Sequence, residues 1–304
     1  MSDYHLHLHP HRSGAGKEED VSGWPPIGEY PPGLIEAYVE QAARSGISEL
    51  GFTEHLYRTA EGAEVLGDFW EKEPRPDLAA QAAEMVALDQ GLRLDVYVEA
   101  ILAARDRGLP VKLGLEVDFF PETIGAVVDL LAQYPFDFLI GSVHWVGGWS
   151  IDAVAVTYEF DRRGIEQAWT DYFILAADLA GSGAVDVLAH VDVCKKFGHR
   201  PPVEPIELFA QVVRQAAATG TAVEVSSQGL RRPANEVYPS PTFLRMFYDA
   251  GVGITLASDG HRAEEAGWGH QRVVEAARAA GYQDHLRFTA RTAYGVPLPD
   301  RPLA

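Results

Sequence analysis

The sequence predicts a parallel α/β fold closed into a barrel of seven or eight strand–helix units. Three observations predict it. Amphipathic helices, most of them followed by a glycine, alternate with short apolar strands. Those strands are rich in Val, Ile and Leu, as strands buried on both faces are. The 304 residues suit seven or eight such units, since a closed barrel takes about 250 residues. No Gly-x-Gly-x-x-Gly turn follows the first strand, which argues against the rival, a doubly wound dinucleotide-binding sheet.

The elements follow in order. A first strand is expected around residues 4–8. Leu34, Ile35, Tyr38, Val39, Ala42 and Ala43 keep a helical period, and Gly46 is the stop. The segment ISELGFTEH reads as a strand, a long helix from about Asp77 ends near Gly108, and VKLGLEVDFF follows as one strand. FDFLIGSVH is the next strand. Ile165, Ala168, Trp169, Tyr172, Phe173, Ala176 and Leu179 form a helical stripe stopping at Gly181, before the strand AVDVLAH. Pro205 suits a first helical turn, and its helix runs to Gly220, before TAVEVSS. Ser240 and Pro241 make an N-cap and N1 pair for a helix ending at Gly251, before VGITLASDGH. Residues 14–32, 57–76 and 145–164 read as long rim loops of one domain spanning 1–304.

Composition narrows the function. Hydrophobic residues make up 47%, enough for a large core, and the net charge is −19. Such a chain repels nucleic-acid backbones and anionic membranes unless a local cationic site reverses the field. The single cysteine, Cys194, excludes an internal disulfide and a thiolate metal cluster. The N-terminal segment has no apolar run of signal-peptide type, and no stretch of 18 apolar residues occurs, so a cytoplasmic setting is expected.

Eight of the 11 histidines fall at or just after strand ends: His5, His7, His9, His11, His55, His144, His190 and His261. Glu54, Glu116, Asp118, Asp192 and Asp259 share those positions. In a barrel the C-terminal strand ends converge on one face. Imidazole with carboxylate suits Zn²⁺, Mn²⁺ or Fe²⁺. The i, i+2 pairs His5/His7 and Asp259/His261 point to one side of an extended chain. For Glu54, Asp118 and Asp192, hydrogen bonding to ligands is as good a reading as coordination. His199, His270 and His285 read as ordinary packed or surface histidines.

The order His5-x-His7, Thr53-Glu54-His55, Gly114-Leu115-Glu116, Ser142-Val143-His144, Ala189-His190-x-Asp192 and Ser258-Asp259-Gly260-His261 resembles the polymerase-and-histidinol-phosphatase (PHP) superfamily. IGSVHW, DVCKKFGHRPP and SSQGLRRPANEVYPSP resemble its monofunctional histidinol-phosphate phosphatase branch. The resemblance implies a distorted parallel (β/α)7 barrel with three divalent metals at the C-terminal ends of the strands. It implies hydrolysis of L-histidinol phosphate by a metal-bound hydroxide, a step of histidine biosynthesis. Residue by residue, one metal takes His5, His7, Glu116 and Asp259, and a second takes Glu116 as a bridge, His144 and His190. A third takes His55, His261 and a loop histidine. The family often places that histidine where this chain has Ser13, so His11 is the nearest candidate and His9 the next. Thr-Glu-His also replaces a motif in which Asp often precedes the histidine.

In catalysis, Glu116 and Asp259 would place the hydroxide, and Asp192 or a bound water would protonate the leaving group. Anion binding in a chain of −19 needs local cations. Lys196 and Arg231 are first choices for the phosphate, with Arg12, Lys195 and Arg232 beside them. Trp145, Trp149 and Tyr238 either flank the substrate's imidazole or pack within loops. Cys194 reads as a packed small residue. The partner expected is a small phosphate ester, not nucleic acid. The alternatives are another phosphoesterase substrate, a metal-dependent amidohydrolase, or a barrel that binds metal without catalysis.

Overall fold

The computed structural model describes residues 1–11 and 24–299. The chain forms β1 (Ser2–Leu6), α1 (Leu34–Arg44), β2 (Glu49–Phe52), α2 (Ala60–Leu66), α3 (Pro76–Asp89) and α4 (Leu94–Asp106). Next come β3 (Val111–Leu113), β4 (Glu116–Asp118), α5 (Ile124–Leu131), β5 (Ile140–Ser142), β6 (Trp145–Val146) and β7 (Trp149–Ser150). Then follow α6 (Tyr158–Arg163), α7 (Ile165–Ser182), β8 (Val187–Leu188), α8 (Ile206–Thr219) and β9 (Ala222–Ser226). The last elements are α9 (Pro241–Asp249), β10 (Ile254–Ala257), α10 (His270–Ala280), β11 (Asp284–Thr289) and β12 (Thr292–Pro297).

Two parallel sheets carry the fold, one ordered β1-β2-β3 and the other β10-β9-β8-β5-β4. Isolated parallel bridges join them at both borders. Leu6 pairs with Gly260 beyond β10, and His55 beyond β2 pairs with Glu116 at the start of β4. Every pairing within these sheets is parallel, as the alternation of strands and helices predicts. No helix among the described residues is long and apolar enough to cross a membrane.

The segment VKLGLEVDFF is two strands rather than one. β3 pairs with β2, β4 pairs with β5, and Gly114 and Leu115 lie at the change of sheet. The Phe138 ring packs against the glycine at this break. A Cβ on Gly114 would come 2.5 Å from Phe138 Cζ, and one on Gly51 would meet the same atom at 2.5 Å. Gly114→Val is therefore expected to destabilise the fold by about 1–3 kcal/mol, the usual cost of overpacking. Denaturant unfolding measures it, and a change under about 0.5 kcal/mol would contradict this packing.

Other boundaries differ for local reasons. The helix expected from 77 to 108 is α3 and α4. Between them Gly91, at φ 137°, and Leu92 both donate main-chain hydrogen bonds to the Arg58 carbonyl. α7 runs past Gly181 to Ser182 and stops at left-handed Gly183. Pro205 is the N-cap of α8 rather than its first residue. The loops expected at 57–76 and 145–164 contain α2, the β6–β7 hairpin and α6. The β11–β12 hairpin has no Asn-Gly signal; its turn residues, Ala290 and Arg291, both take positive φ.

A small apolar cluster of Tyr4, Phe138, Ile140, Val187, Ala189, Ala222 and Phe288 draws on both sheets. His5 follows Tyr4, His190 follows Ala189, and Glu224 lies two residues beyond Ala222 on the same strand face. The cluster thus neighbours the polar residues along the same stretches of chain.

Candidate metal centre

The C-terminal strand ends bring the acids and imidazoles together around Glu116, the first residue of β4, which is fully buried. Glu116 Oε2 lies 3.4 Å from His5 Nε2, 3.6 Å from His7 Nε2 and 2.6 Å from His55 Nδ1. Its other oxygen lies 3.0 Å from His190 Nε2 and 3.4 Å from His144 Nε2. Asp259 Oδ1 stands 3.6 Å from His5 Nε2 and 3.5 Å from His7 Nε2. The His7 ring stacks at 4.2 Å on both His55 and His261.

These atoms form four groups spaced for a cation: His5, His7 and Glu116; His5, His190 and Asp259; His55, Glu116 and His144; and His7, His55 and His261. Two nitrogens bound to one tetrahedral zinc ion lie about 3.3 Å apart, given bonds of about 2.0–2.1 Å. The His5 and His7 Nε2 atoms are 3.1 Å apart, and those of His11 and His55 are 3.2 Å apart. His261 Nε2 is buried with no hydrogen-bond partner among the described residues. The donor set fits divalent metal.

The electrostatics agree. Burial pushes the Glu116 carboxyl up, but His55, His5 and His144 more than offset this and hold it well below the usual carboxylate range. Burial acts the same way on Asp259, and His5, His7 and His261 hold it low. Burial pulls His55 and His261 well below the ordinary histidine value, leaving neutral imidazoles with lone pairs to offer. Burial also pulls at His5, yet Glu224, Asp259 and Glu116 raise it well above that value. A divalent cation would take over the charge that His5 must otherwise carry.

A cavity of about 530 Å³ opens on this face, lined by His11, His55, His144, His190, Asp259 and His261. Lys196, Arg231, Arg232 and Arg262 also line it. Lys196 Nζ is 2.9 Å from Asp152 Oδ2. Arg231 Nη2 donates to the main-chain oxygens of Ser258 (2.7 Å) and Asp259 (3.1 Å), and its Nη1 is 2.6 Å from Glu265 Oε1.

Residues 32–228 match the PHP domain family. This chain belongs to the PHP family. Glu116, His144 and His190 fall within the PHP match, and His5, His7 and Asp259 lie outside it. A Deinococcus radiodurans protein named "Probable histidinol-phosphatase" is 31% identical over 84% of this chain and 91% of its own length. The Lactococcus lactis histidinol-phosphatase is 23% identical over 94% of both chains. The fold is similar to the crystal structure of the Lactococcus lactis histidinol phosphate phosphatase complexed with zinc, L-histidinol and phosphate. The TM-score is 0.68 at 20% identity, covering 96% of this chain and 98% of that one.

The cluster has supporting residues beyond those spaced for a cation. Glu224 of β9 was not among the expected residues. Its Oε2 lies 2.6 Å from His5 Nδ1, and its Oε1 accepts from the His190 main-chain N–H at 3.2 Å. Its signal was a carboxylate inside an otherwise apolar strand. Asp118 is a supporting residue, with Oδ1 2.8 Å from His144 Nδ1. So is Glu54, whose Oε1 accepts from Leu8 N–H (2.7 Å) and His9 N–H (3.1 Å).

Several expected residues lie elsewhere. The Asp192 carboxylate sits 2.7 Å from Lys195 Nζ, accepts from Ser240 N–H at 2.8 Å, and does not line the cavity. β8 has ended at Leu188, and His190 takes a φ of 25°, so residues 190 and 192 no longer share a direction. Asp192 and Lys195 are thus paired with each other, and Lys195 also with Glu236, rather than lining the cavity. His9 lies beyond the end of β1; its ring meets Tyr30 at 5.2 Å, and it belongs to none of the four groups. Trp145, Trp149 and Tyr238 are buried in packing, as is Cys194, whose thiol burial pushes well up. Arg12 and Ser13 lie outside the described residues.

Proposed function

We propose that this protein is a metal-dependent phosphomonoesterase that hydrolyses L-histidinol phosphate to L-histidinol and phosphate. The observation that carries this reading is one cavity whose wall combines His55, His144, His190, Asp259 and His261, members of the metal-spaced groups, with Lys196 and Arg231. Three divalent ions of the zinc, manganese or iron class are assigned: one to His5, His7, Glu116 and Asp259, one to Glu116, His144 and His190, and one to His55, His261 and His11. When bound, such ions neutralise phosphate charge, lower the pKa of water, and align attacking and leaving oxygens.

The protein's own groups divide the remaining work. Glu116 bridges ligand sets with its two oxygens, and Asp259 orients the nucleophile's side of the site. Lys196 and Arg231 take phosphate oxygens, and Arg231 is held in place by the Ser258 and Asp259 carbonyls. Glu84 lines the same cavity together with apolar Met85 and Leu88, while Asp152, which also lines it, is paired with Lys196. That pairing of acid and apolar surface suits an organic cation such as the amine and imidazole of histidinol. The local cations also answer the net charge of −19, which disfavours a nucleic-acid substrate.

The two sheets joined at both borders support one distorted (β/α)7 barrel and a single domain over 1–304. As an enzyme of histidine biosynthesis it would work in the cytoplasm. Phosphate release by metal-loaded protein tests the function with L-histidinol phosphate, a nucleoside monophosphate, phosphotyrosine and p-nitrophenyl phosphate. The expected kcat/KM for L-histidinol phosphate exceeds the others by about 100-fold or more, as a site built around polar groups of the substrate allows. Preference for another ester would overturn the substrate, and metal-loaded protein that cleaves none would overturn the activity.

A further inference from the structure

We propose that Asp89 is a positioning residue that fixes His11 as a metal ligand beside His55 and His261. The inference rests on the three-ion reading above and adds a residue to it.

Asp89 is the last residue of α3 and is fully buried. A carboxylate there is opposed twice: burial strips its water, and the helix C-terminus carries partial negative charge. Strong donors offset this. His11 Nδ1 lies 2.8 Å from Asp89 Oδ2, and the Tyr57 hydroxyl donates to the same oxygen at 3.0 Å. The separation of 78 positions between His11 and Asp89 hides the pairing from sequence spacing.

The geometry sets the orientation of His11. With Nδ1–H donating to Asp89, the lone pair of neutral His11 is on Nε2. That atom lies 3.2 Å from His55 Nε2, and the His11 ring stands 4.6 Å from the His261 ring. The 3.2 Å separation is close to the edge of a zinc tetrahedron. The His11 side chain is one-third exposed on the cavity wall, where an ion can enter. A carboxylate behind a ligating imidazole fixes its tautomer and strengthens it as a donor. α3 thereby supplies the support for a ligand that β1 delivers on its exit loop.

The test counts metal and does not depend on turnover. Protein is equilibrated at a fixed free zinc concentration in a chelator buffer, and bound zinc per chain is measured by elemental analysis. Cobalt(II) absorption follows the same ions. Asp89→Asn and His11→Asn are each expected to weaken one ion by about 10–100-fold, so one zinc per chain is lost where the parent is full. The double variant loses no more, because both changes act on one interaction. A merely structural Asp89 would lower the melting temperature without removing one particular ion.

Tyr57→Phe removes a single donor to the carboxylate and serves if Asp89→Asn does not fold. It is expected to weaken the same ion by a few-fold and leave the others unchanged. The proposal is overturned if these variants keep the full complement at the parent's affinity. It is equally overturned if the parent holds no ion that His11→Asn removes. A parent with its full metal but no phosphatase activity fails the proposed function and leaves Asp89 in its role.

Discussion

Glu116→Gln is expected to abolish phosphate release, by about 10³-fold or more, equivalent to about 4 kcal/mol of transition-state stabilisation. The carboxylate is the hub of the site. One oxygen faces His5, His7 and His55, and the other faces His144 and His190. Glutamine keeps the volume but removes the charge and turns one oxygen into a donor. That donor would point at imidazole nitrogens that must themselves offer lone pairs. Two ligand sets weaken together, so elemental analysis should show more than one ion per chain lost. Activity within about tenfold of the parent, with full metal, would contradict the bridging role.

Arg58→Met is expected to cost about 3–5 kcal/mol of stability, the usual penalty for breaking a buried ion pair by removing one partner. Arg58 is fully buried. Nη1 donates to the His9 carbonyl at 2.9 Å, Nη2 to the Pro10 carbonyl at 3.1 Å, and Nη1 lies 3.5 Å from Glu54 Oε2. Glu54 in turn holds the main-chain N–H groups of Leu8 and His9. Arg58 and Glu54 thus clamp both faces of the peptide chain that carries β1 out to His11. Methionine fills much of the space but leaves Glu54 Oε2 and three carbonyls, those of His9, Pro10 and Asp89, without the guanidinium donor. The urea midpoint measures the effect. The double variant Glu54→Gln/Arg58→Met should lose less than the sum of the two single changes. A loss below about 1 kcal/mol for Arg58→Met would contradict the clamp.

Much of this was legible from residues alone, for identifiable reasons. Glycines at 46, 108, 220 and 251 end helices because each takes a positive φ. Histidines at strand ends converge because parallel strands share a direction. The i, i+2 rule places His5 and His7 together because β1 is extended through Leu6. It does not extend to His9, which lies beyond β1 and belongs to none of the four groups. Asp259 and His261 both line the cavity although Asp259 takes a φ of 50°, so strand geometry does not set their common approach. Asp89 was invisible because its partner is distant in sequence and a lone buried acid has no motif, and Glu224 showed only as a carboxylate within the apolar strand TAVEVSS. The two-residue strands β6 and β7 are too short to carry a period.

The most direct test of the central claim is anomalous diffraction at the zinc edge from crystals grown with zinc and inorganic phosphate. The account predicts peaks within bonding distance of Glu116, His5 and His190, with phosphate on the side facing Lys196 and Arg231. Zinc bound only elsewhere on the surface, with these side chains free of metal at saturating concentration, would contradict it.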